Sequence, residues 1–141
     1  MVGGKTVAGV IAVGVGCRKF CPSAAIIALV RSALADCAGV EGAPRLFSVA
    51  DKSGEPGLLA AAQTLGYDLV FLSREALAAA EPRLLTRSAA TQSRFGLASI
   101  AEAAALAGAG PEGRLRGPRL AANGATCAIA FVDQIGSSAS A

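Results

Sequence analysis

The chain has 141 residues, the length of a single domain, of which 53% are hydrophobic and 16% charged, a balance that excludes a disordered body. Thirteen basic residues, ten of them arginine, against ten acidic ones give a net charge of +3; with one tyrosine and no tryptophan this excludes the basic, aromatic-studded surface of a nucleic-acid binder. Histidine is absent, which removes Ser-His-Asp and Cys-His catalysis and most catalytic zinc sites.

Thr6–Gly14 (TVAGVIAVG) is β-branched and small, the pattern of a strand buried on both faces. The apolar run mimics a signal peptide but is too short to span a bilayer. Gly14 and Val15 do not supply the residues that a lipoprotein cleavage site wants before Cys17, so a cytoplasmic location and no membrane partner are expected. A helix follows from about Pro22 to Cys37, with Ile26, Val30, Ala33, Leu34 and Cys37 on one side, Pro22 in its first turn and Gly39 past its end. Arg45–Ala50 reads as a second strand, Pro56–Leu65 as a helix closed by Gly66, and Leu69–Leu72 as a third strand. Ser73 caps a short helix, Arg74–Ala80, which stops before Pro82.

Residues 82–98 read as a loop with a helical turn around Thr91–Phe95. Ser99–Ala107 is an Ala-rich helix ending towards Gly108 and Gly110. Arg114–Pro118 and Ala125–Val132 are two further strands joined by the turn-forming Asn123-Gly124. The alternation predicts an α/β fold: one three-layer α/β/α domain over residues 1–132, with a central, mostly parallel but mixed sheet of about five strands. The small, polar tail 133–141 is expected to fray.

Chemistry concentrates after the first strand, in AVGVGCRKFCPS (Ala12–Ser23). Gly14-Val15-Gly16 starts like a dinucleotide-binding loop, with Asp51 as a ribose-binding acid, but Lys19 occupies the third glycine's place, where close helix–strand packing forbids a long side chain. GGKT at Gly3–Thr6 ends like a phosphate loop and lacks the strand and the earlier glycine that one requires. Glycines at a strand end followed by a helix N-terminus, with Arg18 and Lys19 beside them, still suit some anion; the alternative is a solvated connection. Loops at the C-terminal ends of parallel strands converge, which predicts that Lys52, in the second polar loop (Asp51–Gly57), lies near Arg18. Arg114, Arg116 and Arg119 form a third concentration. Three cationic segments on one edge fit a ligand with several carboxylates.

Glu55, before Pro56, has a purely structural reading as a favourable charge at a helix start. The cysteines at 17, 21, 37 and 127 are expected to be reduced thiols, with 37 and 127 as small core residues. Cys17-x3-Cys21 is too sparse for a metal and too long for the usual redox pair, so neither metal nor cofactor is expected. The cations and helix start beside Cys17 favour its thiolate, against the plainer reading of a residue chosen for fit.

Four blocks resemble one family in order and spacing. Gly14–Lys19 with Cys21-Pro22 is similar to the G-x-G-C-R-[RK] opening of the cobalamin-biosynthesis CobE family, whose domain also forms the C-terminal part of CbiG proteins. Lys52–Leu59 resembles its K-x-x-E-x-G-L segment, Ser99–Leu106 its S-V-A-E-A-A-A-L helix, and Pro118-Arg119 through Ala125–Ala130 its closing P-K…A-T-x-A-I-A. Two residues depart: Phe20 stands where glycine is common, and Arg119 where lysine is usual, which keeps the charge and removes amine chemistry. The resemblance implies an α/β/α domain in vitamin B12 synthesis (corrin metabolism), with a carboxylate-edged precorrin or hydrogenobyrinate-type tetrapyrrole as ligand and other corrin-pathway enzymes as partners. It points to Gly14, Gly16, Cys17, Arg18, Lys19, Lys52, Glu55, Gly57, Arg119 and Thr126 as ligand-binding. The expected role is that of an accessory, carrier or protective protein. The alternative is a precorrin-5 lactone hydrolase releasing acetaldehyde, with Glu55 as general base and Cys17 as a second catalytic candidate.

Overall fold

The computed structural model describes residues 9–37, 42–85 and 100–132, and side chains from residue 11 onward. The Gly3–Thr6 motif, Gly39, the turn around Thr91–Phe95 and the tail 133–141 lie outside the described residues. In chain order the elements are β1 (Gly9–Cys17), α1 (Ser23–Ala35), β2 (Gly42–Val49), α2 (Pro56–Leu65), β3 (Asp68–Leu72), α3 (Arg74–Ala79), α4 (Ile100–Ala109), β4 (Gly113–Leu115), β5 (Leu120–Ala122) and β6 (Ala125–Val132). Short 3-10 turns at Ala50–Lys52 and Glu81–Arg83 complete them.

The strands form one sheet in the order β3-β2-β1-β6-β4, with β5 also on β6. β1, β2 and β3 pair in parallel, and β6 pairs antiparallel with β1, β4 and β5. β6 alone therefore runs against the other described strands, and the sheet is mixed but mostly parallel in direction. Helices cover both faces. Ile26, Leu29, Val30 and Ala33 of α1 and Leu58, Ala61 and Ala62 of α2 pack on Ile11, Val13 and Val15 of β1 and on Ala125, Cys127 and Ile129 of β6. Opposite them, Leu77 of α3 and Ala101–Leu106 of α4 pack on Ala12, Phe47, Val49, Ala128 and Ala130. The second face is built of small residues, so α4 approaches the sheet closely: a Cβ on Gly14 would lie 1.9 Å from the Ala101 carbonyl oxygen. The Ala-rich composition of α4 is what this approach requires.

Local signals fix the element ends. Gly66 takes φ 76 after α2 and Gly110 takes φ 97 after α4, the left-handed conformation that closes helices. The Ser73 hydroxyl accepts the Ala76 N–H at 3.1 Å at the start of α3. Pro22 sits at the cap of α1 rather than inside it. Asn123 (φ 54) and Gly124 (φ 88) make the tight β5–β6 turn.

Two expectations need correction. β1 continues to Cys17 instead of stopping at Gly14, because the antiparallel partner β6 extends the ladder from Gly14↔Ala128 to Cys17↔Ala125. The expected strand Arg114–Pro118 is shorter and earlier, at Gly113–Leu115, and β5 is an additional strand. Leu115 pairs with Ala130 and Leu120 with Cys127, so residues 116–119 face only residues 128 and 129. β4 and β5 are thus two halves of one edge strand split by a bulge. Pro118, which has no N–H, lies inside it.

Candidate functional site

The C-terminal ends of β1 and β2, the 3-10 turn after β2, the bulge and the β5–β6 turn enclose a cleft of about 460 Å³. Arg18, Lys52 and Arg119 line it, together with Gly16, Cys17 and Thr126. Each cation comes from a different segment, and each is positioned by backbone. The Arg18 N–H donates to the Gly124 carbonyl at 2.9 Å, tying the end of β1 to the hairpin turn. Lys52 ends the turn that follows β2. The Arg119 N–H donates to Glu102 Oε2 at 2.9 Å. Among the described residues none of the three cations makes an ion pair, and no carboxylate lines the cleft.

Gly16 and Thr126 are register partners at the cleft wall, where a Cβ on Gly16 would come within 2.7 Å of Thr126 Oγ1. Cys17 is half-buried, and burial pushes its thiol up to about 11, against the downward pull of Lys52. Of the two readings of Cys17, this goes against the accessible thiolate and with the residue chosen for fit: desolvation outweighs the neighbouring cation. Cys37 and Cys127 are core residues, as expected, with Cys127 raised to about 12 by burial. All four cysteines are free thiols.

The remaining predicted site residues lie elsewhere. Gly14 is inside β1 beneath α4. A Cβ on Gly57 would lie 2.0 Å from the Cys21 carbonyl oxygen, so Gly57 is where α2 meets the loop after β1. Glu55 Oε1 accepts the Phe20 N–H at 2.9 Å. Lys19 points to the Phe20 ring, with its Nζ 6.0 Å from the centroid. Asp51, the acid of the nucleotide reading, is paired with Arg74, which holds its carboxyl below the usual range. Among the described residues no group of three or more His, Cys, Asp and Glu is placed to hold a metal, and no helix is long and apolar enough to cross a membrane.

A larger concavity of about 600 Å³ lies between the end of α1 and the bulge, lined by Asp36, Arg116, Pro118, Arg119 and Cys127 among others. It carries an acid, is fed by fewer segments, and lies away from the strand C-termini where ligands of open α/β sheets gather. Arg119 borders both. Sequence reasoning missed Glu102, fully buried in α4; its signal was a lone acid within the apolar run IAEAAALA.

An open α/β sheet with a cation-lined crevice at its parallel strand ends defines the class. Comparison then gives the family: the model described as "Cobalamin synthesis G C-terminus" matches residues 11–130, and the chain belongs to that family. "Protein CobE" from Sinorhizobium sp is 36% identical over 127 residues, covering 89% of this chain and 82% of the relative. The crystal structure of CobE, "a protein from the cobalamin (vitamin B12) biosynthetic pathway", superposes with a TM-score of 0.79 at 34% identity, over 88% of this chain and 91% of that one. The cobalamin biosynthesis protein chiG from Agrobacterium tumefaciens str. C58 gives 0.65 at 34% identity, over 87% and 98%. The chain is thus a cobalamin-biosynthesis protein of the CobE and CbiG C-terminal type.

Proposed function

We propose that this domain binds a polycarboxylate corrinoid or precorrin intermediate, through Arg18, Lys52 and Arg119, as an accessory, carrier or protective protein of corrin-ring synthesis. The observation that carries the reading is the meeting at one cleft of three cations that have no acidic partner among the described residues. Guanidinium groups grip carboxylates through two parallel hydrogen bonds, and an ammonium adds a compact point charge. In this reading one carboxylate-bearing edge of the macrocycle enters the cleft and meets the three cations. Lactone hydrolysis is the weaker reading, since Glu55 is engaged by the Phe20 amide and lies off the cleft lining.

Titration with hydrogenobyrinate and with a ring-contracted lactone precursor, followed in the visible spectrum, tests this. Binding without change in the ligand's mass is expected. Turnover with acetaldehyde release would overturn the carrier role, and binding of neither compound would overturn the ligand class.

A further inference from the structure

Glu102 is the one ionisable side chain among the described residues that is completely buried, at 0% exposure. Its two oxygens bond separate stretches of chain. Oε1 accepts the Leu85 N–H at 2.8 Å, just beyond the Glu81–Arg83 turn, and Oε2 accepts the Arg119 N–H at 2.9 Å, at the end of the bulge. Neither amide lies within a strand ladder: Leu85 follows the Glu81–Arg83 turn, and the edge strand leaves its regular pairing with β6 between Leu115 and Leu120. Both bonds are part-buried, so an N–H left there without its carboxylate acceptor loses a partner that solvent replaces only in part.

Resting on the functional reading above, we infer that Glu102 is a positioning residue for the ligand: it fixes the backbone root of Arg119 against α4 so that the guanidinium is held at the cleft. α4 is suited to this task. Its Ile100 lines the same cleft, and its Ala101 and Ala105 backbone abuts Gly14 of β1, so the helix, the sheet and the arginine's anchor form one rigid frame. A cation on a loose bulge would have to be ordered at the moment of binding. One anchored beforehand keeps that cost out of the affinity.

The pairing also explains the residue type. Two N–H donors need an acceptor on each side-chain terminus, which a carboxylate offers. An amide turns one terminus into a donor facing a donor, setting two N–H groups against each other at a part-buried contact. Glu102→Gln is therefore nearly isosteric and still breaks one of the two ties.

The test is a double-mutant cycle with hydrogenobyrinate on the full chain, using wild type, Glu102→Gln, Arg119→Ala and the double variant. Glu102→Gln should weaken binding about tenfold when Arg119 is present and less than about twofold when it is alanine, the coupling expected of groups that act through one another. Amide hydrogen exchange on the unliganded protein gives a second readout: the Arg119 N–H is protected in wild type and exchanges faster in Glu102→Gln. Equal losses in both backgrounds, or fast Arg119 exchange in wild type, would reduce Glu102 to a fold stabiliser and overturn the inference while leaving the ligand class standing. If wild type does not bind hydrogenobyrinate, the functional reading falls and the positioning role falls with it. Should Glu102→Gln fail to fold, Glu102→Asp, one methylene shorter and unable to span both amides, replaces it in the same cycle: coupling to Arg119 supports the positioning role, and equal losses overturn it.

Discussion

Phe20 holds φ 63, a conformation that costs an L-residue about 1–2 kcal/mol, while the residue stays 79% exposed and buries little in return. The Glu55 carboxylate accepts its N–H and so holds the turn in place. Glycine takes this conformation without the Cβ clash, at an entropic cost of about 0.5–1 kcal/mol. Phe20→Gly is therefore expected to raise stability by about 0.5–1 kcal/mol, read as a higher urea midpoint; a lower midpoint would refute the strain. Cys17 offers a test in pH. Its thiol stands at about 11 against an ordinary 9.0, with burial as the leading cause. The native state thus keeps a proton that the unfolded chain loses above pH 9, so this contribution is fully present below pH 9 and is lost as pH rises towards about 11. Thermal midpoints measured from pH 8 upward should fall across that window, and less steeply in Cys17→Ala. Identical slopes would remove desolvation as the cause.

Among the elements, the contact of α4 with β1 has the least tolerance. Both near atoms at Gly14, the Ala101 carbonyl oxygen and the Ala105 nitrogen at 2.5 Å, are backbone and cannot rotate away. Gly14→Ala should destabilise the fold by about 3 kcal/mol or leave it insoluble, and wild-type stability in chemical denaturation would refute this contact. This glycine invites a ligand-loop reading because spacing identifies a glycine without saying what approaches it. The helix Pro56–Leu65 and strand Ala125–Val132 are legible to the residue, since Pro56, Gly66 and the Asn123-Gly124 turn punctuate them. The edge strand is not legible. Its halves are three residues each, too short for a period-2 pattern to stand out, and the break between them reflects a pairing with β6 that no local signal encodes.

For the molecule as a whole, the convergence of Arg18 with Lys52 is the most legible feature of the site, because it follows from the parallel topology of β1 and β2 rather than from any motif. Which cations face the cleft is not legible: Lys19 follows Arg18 directly yet turns to Phe20, and Glu55 and Gly57 are taken up by contacts between loops. Arg18→Ala should weaken hydrogenobyrinate binding about tenfold, whereas Arg31→Ala, on the exposed side of α1, should change it less than about twofold; equal effects would move the site elsewhere. The split edge strand has one more consequence. A continuous, flat edge is a template onto which another chain's strand can add, and beside β6 the sheet offers two three-residue stubs separated by a proline-bearing kink. The irregularity that delivers Arg119 to the cleft thereby guards this edge of an apolar-rich sheet against pairing with the same edge of a second copy.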